Sequence, residues 1–359
     1  MNIQVYFFDL IKIAIGQKSC LAGIPEANEW QELYHLAKKQ TLIGVIFSAI
    51  EKLPKEQRPP KLLLMKWFAD SETIKERNLQ ANEDAVKICK ETRKDGFPCL
   101  VLKGQGIATY YPEPSLRTPG DIDLWIKGDY QSILTYLRLK GKVKGTTYMH
   151  ADYEGTVVTE VEVHYKPSFF HNPFYHCRLN KYLSQQNDLF DNYVELPENK
   201  GQLFIPTVEF NRFYILQHIY RHYFGEGVGL RQLLDYYYVL LKGGTEESKQ
   251  RTIKLFRQTG MMKFLAATMW VLQEVFGLDN QYLLCKPHEN AGKQLLNEIM
   301  LAGNFGKYDT RIDRKNHHKL LPRVLGSIKR KVRFVIDYPQ EILFDIPMRT
   351  YMYIWKYFM

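Results

Sequence analysis

The sequence predicts an α+β fold, a small mixed sheet flanked by N-terminal and C-terminal helical regions. Three observations predict it. Apolar residues recur at helical spacing up to about residue 95 and again from about residue 170. Between them, from Phe97 to about Pro167, short apolar runs alternate with helical pieces and end in a hairpin-like stretch. No repeat of fixed period interrupts this order. The implied organisation is an N-terminal helical region (1–95), an α/β core (96–170), a C-terminal helical region (171–305), and a basic segment with an aromatic amphipathic tail (306–359).

In the first region Trp30–Leu53 has helical spacing and stops at Pro54; a second helix, Leu62 to about Lys94, closes at Asp95-Gly96. The core begins with strand Cys99–Leu102, the turn Lys103-Gly104 and a short helix Gln105–Tyr111. Strand Ile122–Ile126 follows, then a helix from about Asp129 to Leu139. Gly141 opens an expected hairpin: Val143–Met149, a turn around Asp152–Gly155, and strand Thr156–Tyr165. From Phe170 onward the pattern reads as helical throughout, with helices at Val208–Phe224, Leu230–Leu241, Thr252–Phe276 and Gly292–Leu301. The tail, Tyr338–Met359, is expected to dock on the body, with a partner or a membrane surface as alternatives.

Composition narrows the classes. The chain has 359 residues, and its five cysteines are scattered and never paired as Cys-x-x-Cys, which argues against a disulfide framework and a zinc ribbon. Asp9 and Lys12 interrupt the apolar N-terminus, which does not read as a signal peptide. The most apolar window, Phe264–Leu278, contains Gln273 and Glu274 and is too short for a bilayer. The expectation is a soluble, cytoplasmic protein with no transmembrane segment. The net charge of +10 fits a polyanionic partner, and much of it lies between Lys307 and Arg333, with Arg311, Arg314, Lys315, Lys319, Arg323, Lys329, Arg330 and Lys331. Such a run usually forms a solvated segment; the functional alternative is a guide for a nucleic-acid or phosphorylated acceptor.

The chemistry centres on Val101–Ile126. In a strand, residues i and i+2 share a face, so Asp121 and Asp123 project together while Ile122 and Leu124 bury. Two adjacent carboxylates repel, and a divalent cation or a raised pKa relieves them. A bare Asp-x-Asp is more often a turn residue followed by a solvent-facing one. The later strand Glu160-Val161-Glu162-Val163-His164 changes the balance: Glu160, Glu162 and His164 fall on one face and offer a third carboxylate. Three converging carboxylates suit two-metal phosphoryl or nucleotidyl transfer. Gly104 lets the backbone approach phosphate, and Lys103 and Arg117 can neutralise it. His218 and His222 lie at i, i+4, without the glutamate a metalloprotease helix needs; core or pocket-lining histidines are the expectation. Arg231 and Asp235 are also i, i+4, as a surface salt bridge or a pocket pair. Gly225-x-Gly-x-Gly229 follows a helix and reads as a loop.

These residues carry a resemblance. Leu102-Lys103-Gly104, Tyr111-Pro112, Arg117, Gly120-Asp121-Ile122-Asp123-Leu124, Glu162-Val163-His164 and Gly229-Leu230-Arg231-Gln232-Leu233-Leu234-Asp235 resemble the nucleotidyltransferase superfamily with a DNA-polymerase-β-like core. Within it they are similar to an uncharacterised bacterial nucleotidyltransferase group, over roughly residues 30 to 240. The resemblance implies transfer of a nucleoside monophosphate from a nucleoside triphosphate (ATP among them) to an acceptor hydroxyl, with Mg²⁺ or Mn²⁺ and release of pyrophosphate. It implies Asp121, Asp123 and Glu162 as catalytic metal ligands, with Glu160 as the alternative third ligand. Lys103, Gly104, Gln105 and Arg117 would bind the nucleotide; Glu160, His164, His218, Arg231 and Asp235 would line the pocket. Gln105 stands where the superfamily usually has Gly or Ser. The acceptor (small molecule, protein or RNA) is open. A non-catalytic nucleotide- or RNA-binding module on the same fold, and metal-dependent phosphodiester hydrolysis, are the competing readings.

Overall fold

A computed structural model describes residues 3–197, 200–311, 326 and 328–358. Three N-terminal helices, α1 (Ile3–Ala14), α2 (Ala27–Lys39) and α3 (Ile43–Lys52), precede the long α4 (Lys61–Lys94). The sequence pattern treated Trp30–Leu53 as one helix; the chain breaks it at Thr41, whose φ is +59°. Helical spacing continues across that break because both halves bury apolar residues in the same core. Trp67 Nε1 donates to Ile43 O at 3.0 Å and ties α4 to α3. Gly44 lets α3 approach the loop before the second strand: a Cβ there would stand 2.3 Å from Leu116 O.

The sheet contains β1 (Cys99–Leu102), β2 (Ile122–Ile126), β3 (Lys142–Thr146), β4 (His150–Glu154) and β5 (Val161–His164), in the order β1-β2-β5-β4-β3. Only the β2–β5 pair is parallel, so the sheet is mixed as expected. Helices α5 (Gly104–Ala108) and α6 (Tyr130–Lys140) sit in the connections. Alternation sorts the side chains. Cys99, Val101, Ile122, Leu124, Val161 and Val163 pack with Ala85, Ile88 and Cys89 of α4 and with Ile133, Leu134 and Leu137 of α6. Leu100, Leu102 and Trp125 belong to the opposite core, which includes Phe210.

The expected hairpin is corrected. The turn falls at 147–149, where the Thr147 hydroxyl accepts the N–H groups of Met149 and His150, and Asp152–Gly155 mostly continues a strand. Asp152 and Glu154 look like turn residues, yet they alternate with buried Ala151 and half-buried Tyr153 on β4.

Beyond the sheet come α7 (Pro173–Ser184), a hairpin of β6 (Tyr193–Glu195) and β7 (Gln202–Phe204), α8 (Val208–Gly225), α9 (Leu230–Leu241), α10 (Glu246–Gln258), α11 (Met262–Phe276) and α12 (Glu289–Ala302). The short β6–β7 hairpin departs from the all-helical expectation, being only three residues per strand. The expected Thr252–Phe276 helix is two helices parted at Thr259–Met261, with Gly260 at φ +70°. The tail docks on the body: α13 (Pro339–Ile342) leads to α14 (Asp345–Phe358), whose Trp355 packs on Tyr130, Tyr148 and Tyr165. Lys166 lies over the Tyr148 and Trp355 rings and closes that contact.

The basic stretch is not simply a solvated run. Arg330 is 2% exposed and donates to Tyr223 O, while Arg311 forks onto Asp309 and Glu298, and Arg333 stands near the same two acids. Arg314, Lys315, Lys319 and Arg323 lie outside the described residues. No described helix is long and apolar enough to cross a membrane.

Candidate active site

β2 and β5 run parallel with Asp123 opposite Glu162, and β4 sets Asp152 opposite Glu162 and His150 opposite His164. This register brings the acidic side chains of three strands to one face. One carboxylate oxygen each from Asp121, Asp123 and Glu162 lies within 4.8 Å of the others. The Glu160 backbone carbonyl accepts from Ile122 N–H at 2.8 Å, and the residue is exposed beside this group.

The cluster is unequally charged. Asp123 is buried; Lys103 Nζ stands 2.8 Å and His164 Nε2 3.0 Å from its Oδ1. Burial would raise its pKa, but the Lys103 ammonium and His164 overcome that and hold it well below the ordinary range. Asp121 lies at the rim: burial and then the Asp123 charge outweigh the Lys103 ammonium and push it up to about 6. Burial would raise Glu162 too, yet its His164 hydrogen bond and His150 keep it low. For His164, burial opposes the charge and the bonds to Asp123 and Glu162 outweigh it.

Lys103 is placed by its backbone. It leaves β1 with φ +55° and ψ −142°, a region close to glycine-only, and Gly104 follows at φ +46°. The space above Gly104 is open, the nearest atom to an added Cβ being Asp121 O at 3.9 Å. Glycine is therefore required here by φ and leaves the backbone accessible.

Gln105 turns away from the cleft. It is 4% exposed and donates to Asn82 Oδ1 at 2.6 Å and Asn78 Oδ1 at 3.3 Å, tying α5 to α4. Its side chain is thus committed to α4. Arg117 is 2% exposed, and its Nε and Nη2 fork onto Asp235 at 2.7 and 2.8 Å. Tyr111 donates to the same carboxylate at 2.7 Å. Asp235 is thus no surface partner of Arg231. Burial raises its pKa, and Arg117 more than reverses this. Arg117 Nη1 and Arg231 Nε are buried without a partner, and both arginines line a small pocket with Lys103, Gly104, Gly120 and Asp121.

A larger cleft of ≈ 660 Å³ opens on the other side of the carboxylates. Its walls include Tyr148 and Met149 from the β3–β4 turn, Phe169, His218 and Arg221, Phe305, and Arg349 and Met352 of α14. His218 Nε2 is 3.5 Å from Lys103 Nζ, and burial and then that ammonium push its pKa far down. His222 holds Glu226 at 2.7 Å, and its ring centre lies 4.4 Å from that of His218, tilted 58°. So both histidines of the i, i+4 pair face the cleft. Sequence reasoning missed His150, because the misplaced turn removed it from a strand. Read as strand, His150-Ala-Asp-Tyr-Glu would have put His150 and Asp152 beside Glu162.

No curated protein matches the chain. A crystal structure of an antigenic nucleotidyltransferase-like protein from Paracoccidioides brasiliensis matches at 13% identity and a TM-score of 0.30, covering 53% of this chain and 92% of that one. The likeness is too distant to carry any residue across. The family described as uncharacterised nucleotidyltransferase matches residues 26–277. That span runs from α2 through α11 and takes in all three carboxylates, so the protein belongs to the uncharacterised nucleotidyltransferase family.

Proposed function

We propose that the protein is a divalent-metal-dependent nucleotidyltransferase, moving a nucleoside monophosphate from a nucleoside triphosphate to an acceptor hydroxyl. The carrying observation is the convergence of Asp121, Asp123 and Glu162 from two paired strands. Their chemistry fits Mg²⁺ or Mn²⁺: hard oxygen donors, with Asp121 held up near 6 by burial and a neighbouring charge that a cation would relieve. When bound, such ions stabilise charge on the phosphates and acidify the acceptor hydroxyl.

The chain's own residues supply the rest. The small pocket beside Gly104 offers Lys103, Arg231 and the free Nη1 of Arg117 to the phosphates. Glu162, ionised at neutral pH, accepts the proton of the acceptor hydroxyl as its oxygen attacks the α-phosphorus. The bond from that phosphorus to the bridging oxygen breaks, and pyrophosphate leaves. The ≈ 660 Å³ cleft, apolar on Tyr148, Met149, Phe169 and Phe305 with Arg221 and Arg349 among them, is the acceptor's approach.

Titration of the four nucleoside triphosphates with Mg²⁺ or Mn²⁺ against wild type and Asp121→Ala/Asp123→Ala tests this, following binding heat and pyrophosphate together. Metal-dependent binding with pyrophosphate release, both lost in the double variant, is the expected result. Binding without release would return the non-catalytic module, and no binding at all would end the transferase reading.

A further inference from the structure

The carboxylates share the sheet face with two imidazoles whose arrangement a pure magnesium site does not need. His150 Nδ1 and His164 Nε2 each stand 3.5 Å from the same oxygen, Glu162 Oε2, and the three donor atoms lie within 4.8 Å of one another. The two rings are 5.1 Å apart, tilted 59°. An ion with bonds the length of zinc–nitrogen bonds holds neighbouring donors roughly 3–3.5 Å apart. The spacing therefore admits one ion between them.

A second observation points the same way. His150 Nδ1 is buried and makes no hydrogen bond among the described residues, although it faces Glu162. A buried polar atom without a partner calls for an explanation, and a bound ion is one. A carboxylate also stands on the other side of the ring. Asp152 Oδ1 is 3.6 Å from His150 Nε2, the side on which a carboxylate favours the ring proton. A carboxylate behind a histidine whose other nitrogen faces outward is the usual orientation of a metal-ligating imidazole.

We propose that His150, Glu162 and His164 form a nitrogen-containing site for a borderline transition-metal ion of the Mn²⁺–Co²⁺–Zn²⁺ class, joined to the all-oxygen ligands through Glu162. Imidazole donors favour these ions over Mg²⁺, which prefers oxygen and keeps its water. Loading the site requires a neutral His164, so its Nε2 proton, now shared with Asp123 and Glu162, leaves to solvent as the ion enters. The inference rests on the transferase reading only for the ion's role; binding at this site is a property of the nucleotide-free chain.

The test is calorimetry of Mg²⁺, Mn²⁺ and Co²⁺ on the chelator-stripped full chain without nucleotide, with the visible absorption of bound Co²⁺ recorded alongside. Wild type is expected to bind Co²⁺ at least about tenfold more tightly than Mg²⁺, with an absorption band of nitrogen-ligated cobalt. His150→Ala should weaken Co²⁺ by about 10–100-fold and shift its band, while Mg²⁺ stays within about twofold. His150→Asp places a carboxylate oxygen where Nδ1 stands and should narrow the Co²⁺ preference while retaining a bound ion. An unchanged Co²⁺ affinity and band in His150→Ala would overturn the proposal. So would an equal loss for Co²⁺ and Mg²⁺, which marks a structural role. Loss in His222→Ala in place of His150→Ala would move the ion to the α8 histidine pair and overturn it equally. None of these outcomes bears on transfer itself, which pyrophosphate release decides separately.

Discussion

Two acidic centres border the same small pocket, and they are built on opposite principles. Asp235 is closed: a forked arginine and a tyrosine hydroxyl satisfy its carboxylate, and Asn78 pins the loop that delivers the arginine by donating to Ser115 O and Arg117 O. The Asp121–Asp123–Glu162 cluster is left open, with three carboxylates compensated by one lysine and neighbouring histidines and with Asp121 pushed up in consequence. A closed pair maintains the fold, since losing one partner strands a buried charge. An open cluster holds unrelieved repulsion, which a ligand of opposite charge removes. The two are distinguished by what remains unsatisfied, not by residue type.

The difference can be broken by mutation. Asp121→Asn and Asp123→Asn should each lower pyrophosphate release roughly a thousandfold or more while leaving the circular dichroism spectrum intact. Near-wild-type turnover in either would remove the open cluster from the chemistry. Asp235→Ala should do the reverse and cost about 3–5 kcal/mol in urea unfolding, because Arg117 is left buried and unpaired. If it unfolded at the wild-type midpoint, the closed centre would be misread. Arg231→Ala, which removes a pocket cation without breaking an ion pair, should raise KM for the nucleotide about tenfold with kcat kept; steady-state kinetics separate the two. The smallest effect is in the metal-free protein. Asp121 titrates near 6 when folded against an ordinary 3.8, so its contribution favours the fold at low pH and is lost as pH rises through 6. Asp121→Asn should therefore raise Tm at pH 7, with the gain closing toward pH 4 in a thermal-melt series.

The open centre was legible in the sequence and the closed one was not, for a physical reason. Asp121, Asp123, Glu162 and the Lys103-Gly104 turn declare themselves by local alternation and backbone freedom, which the sheet register then preserves. Arg117 meets Asp235 across 118 residues of chain, and no local pattern says that one arginine will be consumed while Arg231 keeps a free nitrogen. Gln105 is similar, its partners Asn78 and Asn82 lying on α4. His150 was lost to an error of one turn, because polar residues that pair across strands look like a loop until the strands are placed. The helix breaks at Thr41 and Thr259–Met261 escaped because apolar periodicity persists when both halves face one core.

Lys103 carries a consequence of another kind. Its backbone sits where glycine is at ease and a lysine is strained, while its ammonium rests against Asp123. Lys103→Gly would relieve the backbone but strip buried Asp123 of its ammonium partner, so the two effects oppose each other in stability. A laboratory lineage evolved for heat resistance without an activity screen weighs one against the other, and early loss of this lysine would show that the backbone strain outweighs the ion pair. Its retention in such a lineage would show that the Asp123 charge alone is reason enough to keep it.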